Sequence, residues 1–209
     1  MKIKVKKTLL KKGEEAASPE ITTLIEEIEA GIRLVDWPLG TGRFVICPTK
    51  QANGVRPIKA ACMAHLRAQG WDLERRQKIG NERVPGPIDA IKELSSGRLF
   101  AVEWETGNIS SSHRALNKMA LGMRNGVIAA AVLILPTRAF YKFLTDRVGN
   151  YEELAPYFSV WEHPDVNGLL LVIAIEHDGE DPNIPRIPKG TEGRSKRRRK
   201  KKRPRRKSP

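Results

Sequence analysis

Apolar residues recur along the chain with the two spacings that distinguish helices from strands. From Ile21 to Val35 they fall every three or four positions, and the segment Ser18-Pro19-Glu20 just before them is a helix start signal. The same helical spacing returns later in the chain, between stretches that contain Gly, Pro or Asn. The predicted helices cover residues 21–35, 57–68, 110–123 and 137–148, with a short one at residues 152–158.

Shorter apolar runs predict the strands. Residues 127–135 and 169–175 are almost entirely apolar, which is typical of strands covered on both faces. Residues 88–94 and 98–105 flank the turn Ser95-Ser96-Gly97 and predict an antiparallel hairpin. Further extended segments are predicted at residues 43–46 and 71–79, whereas residues 2–5 fit an edge strand and disorder equally well. This order of elements predicts an α/β fold with a mixed β-sheet flanked by helices.

Positive charge is concentrated in the last residues of the sequence. The chain has 38 Lys and Arg against 24 Asp and Glu, a net charge of +14. Residues 194–209 hold 12 of the basic residues and no acidic one, so residues 1–193 carry 26 against 24. We predict a domain at residues 1–177, a linker at 178–193 and a disordered basic tail at 194–209. The charge favours a polyanionic partner, with nucleic acid the first choice.

The cysteines and the apolar runs argue against a secreted or membrane protein. Cys47 and Cys62 are far apart in sequence, and the four histidines show no metal-ligand spacing. A disulfide framework and a zinc site are therefore not expected, and a cytoplasmic location fits. The basic N-terminal segment has no apolar core of a signal peptide, and the longest apolar run, residues 127–135, is too short to span a membrane.

The strand predicted at residues 98–105 separates acidic from apolar side chains. Because side chains alternate along a strand, Glu103 and Glu105 share one face, which we expect to look outward. The neighbouring strand of the hairpin lies about 4.8 Å away, so that Asp89 can stand beside Glu103. The opposite face, directed into a core, carries Phe100, Val102 and Trp104.

Three converging carboxylates repel one another unless a cation neutralises them. Oxygen ligands without His or Cys favour Mg²⁺ or Mn²⁺. Such a metal polarises a phosphoryl oxygen and lowers the pKa of a bound water, which is the chemistry of phosphodiester hydrolysis. Asp89, Glu103 and Glu105 are therefore candidate catalytic residues. A Glu-x-Glu pair on a solvated strand face remains the competing interpretation at this point.

A polar segment with candidate phosphate contacts follows the second glutamate. Asn108 and Ser110 lie where a Gly-containing loop enters the next helix, and helix N-termini offer free N–H groups to phosphate. Arg114 and Lys118 are one helical turn apart on that helix. We predict that these four residues contact DNA.

The acidic pattern resembles the PD-(D/E)XK nuclease superfamily, and within it the BamHI- and BglII-like restriction endonucleases, in which Glu-x-Glu replaces Glu-x-Lys. The matching positions lie within residues 88–135 and are Ile88-Asp89, Val102-Glu103-Trp104-Glu105, Asn108 and residues 114–118. The resemblance implies the restriction-endonuclease-like fold, with Asp89 and Glu103 as metal ligands. Glu105 would take the position of the lysine and help to orient or deprotonate the attacking water.

The same resemblance implies a Mg²⁺-dependent (or Mn²⁺-dependent) type II endodeoxyribonuclease that acts on double-stranded DNA as a homodimer. An additional upstream acid is expected near the site, and both Glu74 and Glu82 are candidates. The alternative is a nucleic-acid-binding protein with a nuclease-like fold that does not cut. Three carboxylates facing phosphate speak against that alternative, because they can only weaken the binding of an anion.

Overall fold

A mixed β-sheet of six strands forms the centre of the protein in the computed structural model, which describes residues 1–55, 57–145, 147–162 and 165–189. Two further short strands pair with each other outside this sheet. In chain order, the strands are β1 (Lys2–Lys12), β2 (Val45–Ile46), β3 (Asp72–Arg76), β4 (Pro87–Glu93), β5 (Leu99–Trp104), β6 (Ile128–Pro136), β7 (Gly168–Glu176) and β8 (Gly179–Glu180).

The sheet has the order β1-β7-β6-β5-β4-β3. Strands β5, β6 and β7 are parallel, whereas β1, β4 and β3 each run antiparallel to their inner neighbour. The predicted α/β class with a mixed sheet is confirmed, and so is the antiparallel pairing of β4 with β5.

Helices begin at the capping residues that their sequences provide. Ser18 precedes the first helix and accepts a hydrogen bond from the Ile21 amide at 3.2 Å, with Pro19 at the first helical position. Asn108 accepts one from the Ser111 amide at 3.1 Å at the start of the third helix. The helices are α1 (Pro19–Arg33), α2 (Ala60–Ala68), α3 (Ile109–Arg124), α4 (Arg138–Tyr141) and α5 (Tyr151–Leu154), with 3₁₀ segments at Glu15–Ala17 and Ala155–Trp161.

The helices form two layers, one on each face of the sheet. Buried residues of α1 and α2 share a core with Phe100, Val102 and Trp104 of β5. Buried residues of α3 and α5 share a second core with Leu99 and Ala101 of the same strand. The alternation predicted for β5 is therefore confirmed, and both faces of this central strand are covered.

The helix predicted at residues 137–148 is wrong beyond its first turn. Thr137 caps it, accepting a hydrogen bond from the Phe140 amide at 3.2 Å, but α4 ends at Tyr141. The next two carbonyls accept hydrogen bonds from a distant loop. The Lys142 carbonyl accepts one from the Gln51 amide and the Phe143 carbonyl accepts one from the Asn53 amide, both at 3.0 Å. A longer helix would need those carbonyls for its own amides.

Strand β1 settles the alternative left open for the first residues. Residues 2–5 belong to an eleven-residue strand paired along its length with β7, with irregularities between Ile3 and Val5 and between Thr8 and Leu10. Lysines alternate along its exposed side, which suits an edge strand because charge hinders pairing with another chain.

Residues 178–189, predicted as the first part of a linker, pack against the body of the protein. Strand β8 pairs with β2, and Ile187 is buried in the core that contains α1 and α2. The Asn53 side chain accepts a hydrogen bond from the Ile187 amide at 3.1 Å. Residues 190–193 of that linker and the predicted basic tail at 194–209 lie outside the described residues. In the part of the chain that is described, every helix is too short or too polar to cross a lipid bilayer.

Candidate active site

The β4–β5 hairpin brings the predicted acids together. Ala90 lies opposite Val102 in the antiparallel register, and the next position places Asp89 at the end of the ladder. There the Asp89 carboxylate accepts a hydrogen bond from the Trp104 amide through Oδ2 at 2.7 Å. The amide that orients Asp89 thus lies between Glu103 and Glu105 in the chain.

Glu103 does not look outward as expected from the alternation. Its face of β5 is covered by α3, and the residue is only 7% exposed. Lys118 of α3 forms an ion pair with Glu103 Oε1, and the same ammonium donates to the Pro87 carbonyl at 3.2 Å. The expectation failed because the helix that follows β5 packs back over the acid.

Glu105 follows β5 directly and is partly buried. Its amide donates to the Ile134 carbonyl at 2.8 Å, which prolongs the pairing of β5 with β6 by one residue. A hydrogen bond from the Gly107 backbone to the Glu105 carboxylate holds that side chain at the start of the loop that leads to α3.

Burial and mutual repulsion shift the ionisation of both glutamates. Burial raises the pKa of Glu103 to about 6, although Lys118 opposes the shift, and Asp89 and Glu105 add to it. Burial likewise raises the pKa of Glu105, and the charge of Asp89 raises it further. The three carboxylates therefore form one electrostatically coupled group that a cation would stabilise.

Lys59 approaches the same group from the other face of the sheet. It immediately precedes α2, and its ammonium lies 2.5 Å from Asp89 Oδ1 and 3.6 Å from Glu74 Oε1. Burial lowers the pKa of Lys59, but the two carboxylates outweigh burial, so that its pKa is raised overall. No local sequence pattern places Lys59 at this site, because such a pattern does not reveal which strand a helix start will contact.

The two candidates for the upstream acid lie in different surroundings. Glu74 is in β3 beside β4, shares Lys59 with Asp89, and has a φ of +53°, which is rare for a non-glycine residue. Glu82 instead accepts hydrogen bonds from the Ile79 and Gly80 amides, at 3.1 and 2.7 Å, and so closes its own loop. The contacts favour Glu74 as the acid next to the site.

The predicted DNA contacts lie at the start of α3, beside the acids. Asn108 caps the helix and Ser110 is exposed in its first turn. Arg114 lies 3.4 Å from the Ser111 hydroxyl, and its charge lowers the pKa of Glu105. Lys118 is drawn towards Glu103 and is only 23% exposed at its side chain.

The donor set fits a hard divalent cation by its chemistry. Asp89, Glu103 and Glu105 supply oxygen ligands of the kind that Mg²⁺ and Mn²⁺ prefer. Among the described residues, no group of three or more His, Cys, Asp or Glu side chains is positioned to hold a metal ion. Lys59 and Lys118 each form an ion pair with one of these carboxylates, Asp89 and Glu103 respectively.

Comparison with solved structures supports the fold. The chain is similar to the restriction endonuclease BglII, solved in complex with a DNA 16-mer, with a TM-score of 0.58. The match covers 90% of this chain and 86% of that chain at 14% sequence identity. This likeness shows the restriction-endonuclease-like fold that the sequence predicts.

Comparison of sequences identifies the family. The family model described as restriction endonuclease BamHI matches residues 1–194. The type II restriction enzyme OkrAI of Oceanobacter kriegii is 50% identical over 196 residues, which is 93% of this chain and 99% of that protein. The type II restriction enzyme BamHI of Bacillus amyloliquefaciens is 38% identical over 176 residues, 81% of each chain. The chain therefore belongs to the BamHI family of restriction endonucleases.

Proposed function

We propose that this restriction endonuclease hydrolyses phosphodiester bonds of double-stranded DNA with Asp89, Glu103 and Glu105 and a bound Mg²⁺. Its relatives are named type II restriction enzymes, and family membership makes the chain a DNA-cleaving enzyme. The observation that supports these particular residues is the hydrogen bond from the Trp104 amide to Asp89, at 2.7 Å. It holds Asp89 beside the end of β5, where Glu103 and Glu105 lie.

Each carboxylate has a distinct part in this proposal. Asp89 and Glu103 would hold the cation, which when bound polarises the phosphate and acidifies a water. Glu105 lies one residue beyond the strand, and its raised pKa suits a carboxylate that orients the attacking water and accepts its proton. The preorganised backbone hydrogen bonds to Asp89 and Glu105 keep both side chains in place before DNA arrives.

The start of α3 would hold the DNA backbone next to the acids. Asn108, Ser110 and Arg114 lie at the positively polarised end of a sixteen-residue helix. Lys118 is one turn further along and already contacts Glu103. A phosphate at this helix start is thereby brought close to the carboxylates that would act on it.

We further propose that the enzyme is a homodimer, because cutting both strands of DNA requires two active sites. A suitable surface lies beside α3, where the 3₁₀ segment exposes Tyr157 by 52% and Val160 by 56%. The Tyr157 ring lies 5.1 Å from the His113 ring of α3, centroid to centroid. Exposed apolar side chains that are clustered in this way are typical of protein interfaces.

Mg²⁺ as the physiological metal and the cytoplasm as the location are parts of the same proposal. The oxygen-only donor set favours Mg²⁺ over softer metals. Cys47 and Cys62 are both free and buried, which fits a reducing compartment.

The proposal is tested by cleavage of plasmid DNA with Mg²⁺, with EDTA, and with variants of the acids. We expect Asp89→Asn and Glu103→Gln to lower the cleavage rate by about a thousandfold or more, since each removes a carboxylate that would hold the cation. Glu93→Gln is the matched control, because Glu93 is an exposed acid at the far end of β4.

If Glu103→Gln cleaved DNA at the wild-type rate, the assignment of the site would be contradicted. Mg²⁺-independent cleavage would contradict the role of the metal. If the wild-type protein bound DNA tightly but never nicked it with Mg²⁺ or Mn²⁺, the alternative of a non-cleaving binding protein would be correct for this chain.

A further inference from the structure

The two oxygens of Asp89 have different partners. Oδ2 accepts the Trp104 amide at 2.7 Å, so that backbone fixes this oxygen. Oδ1 is held by the Lys59 ammonium at 2.5 Å. Among these contacts, Oδ1 therefore has no backbone donor, and the Lys59 ammonium neutralises it.

The contact is sheltered from solvent. The Asp89 side chain is 12% exposed and that of Lys59 is 33% exposed. Charges in such surroundings are screened less than surface charges, so their attraction is stronger than that of an ordinary surface pair. Glu74, 3.6 Å from the same ammonium, adds a second negative charge.

We propose that Lys59 is the resident counter-ion of Asp89, and that a divalent cation binds the acid only by displacing the Lys59 ammonium from Oδ1. A cation and an ammonium cannot both contact one carboxylate oxygen closely, because their positive charges repel. Lys59 thus stabilises Asp89 while the cation is absent and lowers the affinity for the cation. This inference rests on the proposed function, because it takes Asp89 as a metal ligand.

Lys92 provides a matched control on the strand that carries Asp89. It is partly buried, as Lys59 is, but its ammonium donates to the Gln69 carbonyl and not to a carboxylate. Lys92→Gln therefore removes an equal charge from the protein without freeing an acid.

The test is a titration of the full-length, EDTA-stripped and DNA-free protein with Mn²⁺, with unbound Mn²⁺ measured by electron paramagnetic resonance. We expect Lys59→Gln to bind Mn²⁺ about tenfold more tightly than wild type, because one competing charge is removed. Lys59→Arg keeps the charge, so that it and Lys92→Gln should bind as wild type does. Unchanged or weaker binding by Lys59→Gln, or tighter binding by Lys59→Arg, would overturn the proposal.

Thermal unfolding gives a second readout that does not depend on activity. Without its counter-ion, Asp89 is a largely buried carboxylate that has no ion-pair partner, so Lys59→Gln should melt at a lower temperature than wild type in EDTA. Mn²⁺ should then raise its melting temperature more than that of wild type. An equal increase in both proteins would contradict the exchange. Lys59→Met, neutral and similar in length, replaces Lys59→Gln if the latter does not fold.

Asp89→Asn separates the two proposals. If this variant binds Mn²⁺ as wild type does, the assignment of Asp89 as a metal ligand fails, and the proposed site fails with it. If Asp89→Asn loses binding but Lys59→Gln binds as wild type does, only the role of Lys59 is wrong.

Discussion

Glu103 combines a buried carboxylate with a candidate catalytic position. Its pKa is raised from 4.5 to about 6 even though Lys118 contacts it, because burial outweighs the ion pair. A carboxyl group whose pKa is raised in the folded state is harder to ionise there than in the unfolded chain. Its ionisation therefore lowers the stability of the fold. The protein thus keeps an acid that lowers its stability, which is typical of functional sites.

The first prediction concerns Glu103→Gln, which removes that ionisation. A rise from 4.5 to about 6 corresponds to about 2 kcal/mol. We expect the free energy of unfolding of the variant to be about 1–2 kcal/mol higher than that of wild type at pH 7.5 in EDTA. Below pH 6 the gain should shrink, and at pH 4.5 it should fall to about 0.4 kcal/mol, because the carboxyl group is then protonated in the folded state and half protonated in the unfolded chain.

Urea denaturation at the two pH values measures this difference. Glu93→Gln, the exposed acid of β4, should show no comparable pH-dependent gain. A gain of the same size at both pH values would mean that packing, rather than ionisation, explains the effect.

Glu74 provides the second prediction, because its backbone conformation and its charge can be separated. A left-handed conformation at a non-glycine residue costs about 1–2 kcal/mol, and Glu74 has a φ of +53°. Glu74→Gly should therefore raise the unfolding free energy by about 1 kcal/mol while slowing DNA cleavage by about tenfold, since the charge beside Asp89 is lost.

Glu74→Gln distinguishes the two effects. It should slow cleavage to the same extent without adding stability, since the strained backbone remains. Glu82→Gln serves as control and should cleave DNA as wild type does, because Glu82 binds only the amides of its own loop in the contacts described. If Glu82→Gln lost activity and Glu74→Gln kept it, the choice between these acids would be reversed.

At the scale of single residues, the features that were predictable from the sequence are those that follow from the alternation of side chains along one strand. The faces of β5 and the meeting of Asp89 with the two glutamates follow from strand geometry and a short turn. The burial of Glu103 and the contact of Lys59 could not be predicted, because they depend on how α3 and the start of α2 pack onto the hairpin.

Helices α1 and α2 pack closely at a glycine, a residue of low helix propensity. Gly31 is buried in α1, and a Cβ atom added there would lie 2.9 Å from the Cys62 sulfur of α2 and 3.2 Å from His65 Cδ2. The close approach of the two helices explains why a residue of low helix propensity occupies this position.

The third prediction is that Gly31→Ala destabilises the protein. An alanine gains about 1 kcal/mol in helix propensity, but overpacking costs about 1–3 kcal/mol. We expect a net loss of about 1 kcal/mol in urea denaturation. The double variant with Cys62→Ala should lose less than the sum of the two single variants, because removal of the sulfur makes room for the new methyl group. Additive losses would show that the two residues do not compete for space.

Element boundaries were predictable where a local signal sets them and not where a distant segment does. Ser18 and Asn108 mark the starts of α1 and α3 in the sequence and in the structure. The end of α4 is determined by the loop at residues 51–53, whose amides bind the carbonyls of Lys142 and Phe143. A periodicity confined to residues 137–148 contains no information about that loop.

At the scale of the whole molecule, the exposed surface beside α3 provides the fourth prediction. Val160→Glu places a charge in the proposed interface and should favour the monomer. We expect the dissociation constant of the dimer to rise by about tenfold or more, which corresponds to about 1.4 kcal/mol. Sedimentation equilibrium measures the shift. The monomeric variant should still bind Mn²⁺, because the acids lie on β4 and β5.

Val84→Glu is the matched control for this substitution. Val84 is 73% exposed but lies in the loop before β4 rather than on the 3₁₀ segment. It should leave the association state unchanged. A Val160→Glu protein that remains a dimer would place the interface on another surface.

The pairing of β1 with β7 has a consequence for the order of events during synthesis. Lys2 pairs with Glu176 and Lys12 with Gly168, so the first strand of the described chain cannot pair until one of its last strands has been made. Contacts between such distant residues form slowly, because a long loop must close first. The nascent chain can form the β4–β5 hairpin early, but it lacks a complete sheet until β7 has emerged. A cell making such an enzyme would therefore contain its folded, DNA-cutting form only after the ribosome has translated the chain beyond β7.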